Sequence, residues 1–219
     1  MAMQTYISPI GFNTTSVTRA LINHGVEGDD TVVLVRPAEE TDDNRGAEAV
    51  ADVEQLLQEI APTISVRVEE IPHDEFETAV MQCSEIIQTA ESSVVVSLSG
   101  GARDVLLPLT VATLAHEQVV ESTLGYSDID GQVREWVLPN ISTTPSDGQR
   151  ATLAEVAESN PEISIPELTM RRDSAKSTVT RHVNELEADG FVTARTEDRT
   201  KHVSITLAGR LCLARTVST

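Results

Sequence analysis

The chain has 219 residues, 40% of them apolar and only 3% aromatic, so its cores must be built from Val, Ile, Leu and Ala. Its formal net charge of −19, taken alone, argues against a nucleic-acid partner. The longest apolar stretch, Val105 to Ala115, is interrupted by Pro108, Thr110 and Thr113 and falls short of a bilayer span, and the start has no basic n-region, so a cytoplasmic chain with no membrane partner is expected.

Residues 1–140 alternate between two hydrophobic periods. Gln4 to Ser8, Thr31 to Arg36, Ile64 to Ile71 and Ser93 to Ser99 read as strands. Thr15 to Asn23, Gly46 to Ile60, Glu75 to Thr89 and Asp104 to Glu117 read as helices, the second carrying Val50, Val53, Leu56, Leu57 and Ile60 on one stripe. Glu121 to Tyr126 and Gln132 to Leu138 flank an Asp130-Gly131 turn and form an antiparallel edge hairpin. This order predicts an α/β domain with a Rossmann-like parallel sheet covered by helices on both faces.

Two loops at the carboxyl ends of strands carry candidate chemistry: Ser8-Pro9-Ile10-Gly11-Phe12-Asn13-Thr14-Thr15-Ser16 after the first strand, and Ser97-Leu98-Ser99-Gly100-Gly101-Ala102-Arg103-Asp104 after the fourth. Open α/β sheets bind ligands at such rims. The glycines permit close backbone approach, the amides of the following helix can hold an anion, and Arg103 is placed for a phosphate or a base. A dinucleotide oxidoreductase is disfavoured, because Gly11 stands alone where GxGxxG is required and Arg36 replaces the acidic ribose partner. Cys83 and Cys212 lie far apart without CxxC neighbours, and the five histidines form no HxxxH pattern, so no metal or other cofactor is expected.

The charge is unevenly spread. Residues 1–145 carry six Arg, no Lys and 24 acidic groups, a net of −18, whereas from Arg171 onward nine basic and six acidic groups give +3. Such asymmetry points to a nucleic-acid-facing end. The overall acidity, with two lysines among sixteen basic residues, resembles proteins of salt-loving archaea, in which an acidic surface maintains hydration. A polar linker, 141–148, leads to a second domain at 149–219. There Arg150 to Glu158 reads as a helix ended by Asn160-Pro161, Ser164 starts a short helix to Met170, and Ser174 caps a third from Ala175 to Ala188. Gly190 stops that helix; strands Phe191 to Thr196 and His202 to Thr206 and a helix from Leu207 to Arg215 follow.

That order is a winged helix-turn-helix. With Val179, Val183 and Leu186 turned to the core, the third helix offers Lys176, Ser177, Thr178, Thr180, Arg181 and Asn184, with Ser174 at its start, to a DNA major groove. Glu185, Glu187 and Asp189 are expected at its far end, away from the contact. The loop 197–201 would be the wing, with Arg199 and Lys201 reaching the flanking backbone or the minor groove.

The stretches SAKSTVTRHVNELEADGFV and TARTEDRTKHVSITLAGR resemble the MarR/ArsR-like winged helices. In the first domain SLSGGARDVLLPLTVA resembles the strand–(S/T)GG–helix motif of CARF domains, the CRISPR-associated Rossmann-fold sensors, and YISPIGFNTTSVTRALINHG resembles their first ligand loop. The whole chain thus resembles CRISPR-associated CARF–winged-helix transcription regulators. The resemblance implies a homodimer that binds a cyclic oligoadenylate, the tetramer in the first instance, with Ser8 to Asn13 and Ser99 to Arg103 lining the pocket, and that binds double-stranded DNA at a palindromic promoter. Ala102 and Arg103 stand where many relatives have Thr and Lys. Two rivals remain: a ring nuclease that cleaves the same ligand, for which the two loops offer no His or Glu as base, and an accessory protein that binds RNA or a CRISPR complex.

Overall fold

A computed structural model describes residues 3–39, 43–159 and 161–215. They fall into two compact units, Met1–Leu138 and Pro139–Thr219.

In the first unit, β1 (Gln4–Pro9), α1 (Thr15–His24), β2 (Thr31–Pro37), α2 (Asp43–Ile60), β3 (Ser65–Ile71), α3 (Phe76–Gln88), β4 (Ser93–Ser97), α4 (Arg103–Ala115), β5 (Val120–Tyr126) and β6 (Val133–Trp136) follow one another. The sheet order is β3-β2-β1-β4-β5-β6, parallel except for the edge strand β6, which pairs antiparallel with β5. Because successive strand side chains point to opposite faces, one pleat feeds two cores. Tyr6, Val32, Leu34 and Val95 pack with Val17, Leu21, Val53 and Leu57 of α1 and α2. Ile7, Val33, Val35, Val94 and Val96 pack with Cys83, Ile87, Val105 and Leu109 of α3 and α4. Each such aliphatic side chain taken from water contributes about 2 kcal/mol before entropy is charged. Helix α1 stops where Gly25, at φ +100°, donates its N–H to Leu21 O. Strand β6 is shorter than the pattern suggested, and Val137, 90% exposed, lies outside it. Pro108 sits buried inside α4, which runs on through it, and Val105 and Leu106 N–H both donate to Ala102 O in the first turn.

The second unit comprises α5 (Asp147–Ala157), β7 (Ile163–Ser164), α6 (Ile165–Arg172), α7 (Lys176–Ala188), β8 (Val192–Glu197), β9 (Thr200–Ile205) and α8 (Leu207–Ala214), with strand order β7-β9-β8. Its core joins Leu153, Val156, Leu168, Val179, Val183, Leu186, Phe191 and Val203. Helix α5 begins at Asp147, not Arg150, because Ser146 and Gln149 form a reciprocal capping box. Asn160, expected to end it, lies outside the described residues. Ser164 caps α6 by accepting from Glu167 N–H, as the sequence predicts, and Ile163 and Ser164 also pair with β9. Ser174 does not cap α7; its Oγ donates back to Arg172 O, and Ala175 holds the N-cap position without a side-chain bond. Both cysteines are free and buried, and burial pushes the Cys83 thiol up to about 11. No helix among the described residues is long and apolar enough to cross a membrane.

Candidate functional site

The chain leaves β1 toward β2 and β3, then returns on the other side of β1 at β4. The crevice at the carboxyl ends of β1 and β4 is therefore the switch point of the sheet, and the two loops singled out in the sequence meet there. They meet backbone to backbone. A Cβ on Gly11 would lie 3.2 Å from Gly101 Cα, and one on Gly101 only 2.8 Å from Pro9 Cβ. Gly100 and Gly101 also hold φ of +79° and +69°, where other residues are strained. These glycines are required first by the approach of one loop to the other.

The loops enclose an open pocket of about 370 Å³. Gly11, Phe12, Asn13, Ser99, Gly100 and Gly101 line it as expected. Ser8, Pro9 and Ile10 do not: they are buried beneath it, Ile10 N–H donating to Val35 O at 2.9 Å. Ser97 is buried in β4 with no hydrogen-bond partner for its Oγ, and Ala102 and Arg103 open α4 outside the lining. Ser16, the last residue of the first candidate loop, also lines it from α1, and two lining residues escaped the sequence reading: Tyr126 and Asp128 from the β5–β6 hairpin. The hairpin is brought in by Ser99, whose Oγ accepts from Tyr126 N–H at 2.6 Å. Its turn is pinned by Asp130 and Arg134, and the Arg134 guanidinium holds the Asp130 carboxyl well below the usual carboxylate range.

Two helix starts open at this rim. Helix geometry leaves the Arg103 and Asp104 amides without an intrahelical acceptor, and neither the α1 nor the α4 N-cap residue supplies a side-chain cap. Asn13 Oδ1 accepts from Thr15 N–H at 2.9 Å instead. The positive ends of both dipoles favour an anion here, opposed by the carboxylate of Asp128.

In the second unit α7 buries Val179, His182, Val183 and Leu186. Its outer surface is formed by Lys176, Ser177, Thr180, Arg181, Asn184 and Glu185, so Glu185 shares the face expected to meet DNA. Thr178 is half-buried, and Thr180 Oγ1 donates to Lys176 O at 2.8 Å. Two of the cations are internally partnered: Arg181 Nη1 lies 3.1 Å from Glu185 Oε1, and Lys201 Nζ donates to Glu187 Oε2 at 2.6 Å and to Asn184 Oδ1 at 2.9 Å. Glu185 and Glu187 are thus woven among the candidate contacts and not set apart from them, while Asp189 stands at the far end of α7 as its C-cap. Lys201 belongs to β9, because the wing tip is a tight two-residue turn, Asp198 and Arg199 at φ +47° and +65°, with Arg199 exposed. At the wing base Arg195 bonds Glu162 at 2.6 Å and holds that carboxyl below its ordinary value. His182 bonds Thr152 Oγ1 through Nδ1 at 3.0 Å, and burial, helped by Arg181, lowers its pKa.

Residues 4–132 match the model of the Csa3 CRISPR-associated Rossmann-like domain, and residues 143–201 match the MarR family. No curated protein matches the chain. Among solved structures, a MarR-family transcriptional regulator from Silicibacter pomeroyi is 29% identical over 31% of this chain and 47% of that one, with a TM-score of 0.29. Protein VC1899 from Vibrio cholerae is 12% identical over 97% of this chain and 64% of that one, with a TM-score of 0.47. Csm6 from Enterococcus italicus, solved bound to cyclic hexa-2′-fluoro-hexa-dAMP, is 16% identical over 57% of this chain and 34% of that one, with a TM-score of 0.43. The chain thus spans less than two thirds of each of these proteins, and the two family matches carry the assignment. Since the first covers more than half of the sequence, the chain belongs to the Csa3 family of CRISPR-associated Rossmann-like (CARF) proteins and joins that domain to a MarR-family winged helix, the architecture of a CRISPR-associated transcription regulator.

Proposed function

We propose that the protein is a ligand-responsive regulator of CRISPR-associated genes. It acts as a cytoplasmic homodimer that binds a cyclic oligoadenylate, by resemblance the tetra-adenylate, in its Rossmann-like unit. It reads a palindromic duplex with α7 and the β8–β9 wing. The observation that carries the sensor half is the meeting of the Gly11–Asn13 and Ser99–Gly101 loops in one pocket at two helix starts, a seat suited to phosphodiester anions. The DNA half is supported by the MarR-family match and by the hydroxyls and cations of the outer α7 face.

The ligand shifts DNA affinity only by as much as it binds two arrangements of the dimer differently. Calorimetry on the full chain at high salt tests the sensor reading. The expected result is saturable heat with cyclic tetra-adenylate, at one ring for each pair of chains; heat no greater than dilution contradicts it. Chromatography of the recovered ring separates binding from cleavage, and the regulator reading expects the ring intact.

A further inference from the structure

Glu185 is an acidic side chain on the face proposed to enter a polyanionic groove. It is held from two elements. Its Oε2 accepts from Gln149 Nε2 of α5 at 3.0 Å, while Arg181 Nη1 lies 3.1 Å from Oε1 and 3.3 Å from Oε2. It nevertheless stays 40% exposed and Arg181 63% exposed, so the pair reaches outward. A carboxylate there is repelled by phosphates, and the adjacent guanidinium offsets that repulsion only in part. It must therefore be matched by a hydrogen-bond donor.

Resting on the proposed DNA reading, we infer that Glu185 is a base-reading residue that accepts from the exocyclic amine of a cytosine in the major groove. Only two base donors point into that groove, the amines of cytosine and adenine. The adenine amine sits beside the N7 acceptor, whose lone pair would face the second carboxylate oxygen, whereas the cytosine amine has no such neighbour on its own base. Its pairing partner, guanine, presents two acceptors, O6 and N7. Arg181 engages Glu185 through Nη1 and lies 3.4 Å from His182 Nε2 through Nη2, which leaves further N–H donors of its guanidinium for that guanine. An ionised carboxylate has about four lone-pair sites, and the three contacts present leave one for the amine. Acceptor and donor thus stand side by side, as the amine of cytosine and the acceptors of its paired guanine do.

Selection of bound sequences from a pool of random duplexes by the full chain, with and without cyclic tetra-adenylate, tests this. The wild type should enrich a half-site with an invariant C at one position. Glu185→Ala should make that position alone degenerate, lowering discrimination there by about tenfold to a hundredfold. Glu185→Gln, which keeps the contact to Arg181, should relax the position or move it toward A, since an amide pairs with adenine. A merely structural Glu185 would weaken every position together. That outcome, or an unchanged motif in Glu185→Ala, overturns the inference and leaves the DNA reading standing. Failure of the wild type to enrich any duplex overturns the DNA reading itself.

Discussion

Lys201 Nζ lies 2.6 Å from Glu187 Oε2, so the wing strand β9 is tied to α7 by a cation that the sequence offers to DNA. The two side chains are 29% and 38% exposed, and a pair of this kind is worth at most about 1 kcal/mol. A phosphate can displace the carboxylate, but the exchange subtracts from the binding energy. Glu187→Gln should therefore bind duplex DNA severalfold more tightly, with the slope of log affinity against log salt steeper by about one. Lys176→Ala, which removes an exposed cation from the outer face, should weaken binding. Fluorescence anisotropy across a salt series measures both. Equal affinity and slope for wild type and Glu187→Gln would show that Lys201 never meets phosphate.

The glycines of the pocket should be unequal to those elsewhere. Gly25 holds φ +100° but has open space where a Cβ would go, so Gly25→Ala should cost only the backbone penalty, about 1 kcal/mol. Gly101 holds φ +69°, and a Cβ there would lie 2.8 Å from Pro9 Cβ, with the Pro9 carbonyl carbon and Ile10 nitrogen close behind. Gly101→Ala adds overpacking to strain and should cost about 3 kcal/mol while abolishing ligand binding. Urea unfolding of the two variants, followed through the single Trp136, decides whether the loops are packed as tightly as this.

His182 gives the second unit a pH dependence. Its folded pKa lies below the usual histidine value, chiefly through burial, with Arg181 and Arg172 lowering it and Glu185 opposing. The unfolded chain then takes up a proton at higher pH than the folded one. Stability is full above the ordinary histidine range and falls as pH drops through it toward the depressed value. Thermal unfolding should lose more stability between about pH 8 and pH 5 in the wild type than in His182→Gln, which can keep the bond to Thr152. Parallel pH profiles would mean that His182 protonates freely in place.

Much of the fold could be read from local pattern. The Val94–Val96 run, the alternation of strands with amphipathic helices, the Asp130-Gly131 turn and the Ser164 cap all state their own structure. What could not be read depends on distant partners. The two-residue strand β7 exists only because β9 lies beside it, and Tyr126 and Asp128 join the pocket through a bond to Ser99, 27 residues away for Tyr126. The wing turn uses Asp198-Arg199 in place of the Asn-Gly that signals such turns, so the strands read from the sequence end at Thr196 and resume at His202, short of Glu197 and Thr200 where β8 and β9 meet the turn. Ser174 was expected as a cap because its type favours that role, yet its hydroxyl is taken by Arg172 O. The position of Glu185 was legible: it stands four residues after Arg181, a spacing that puts both on one helix face.

The central claim is that the rim where the two loops touch is an anion seat. A crystal structure of the full chain grown with cyclic tetra-adenylate tests it most directly. Ring phosphates should lie against the amides of Gly11 to Asn13 and of Gly100 and Gly101, with Tyr126 and Asp128 at the pocket wall. A ring bound elsewhere on the chain, or its bases alone in that pocket with the phosphates turned to solvent, would contradict it.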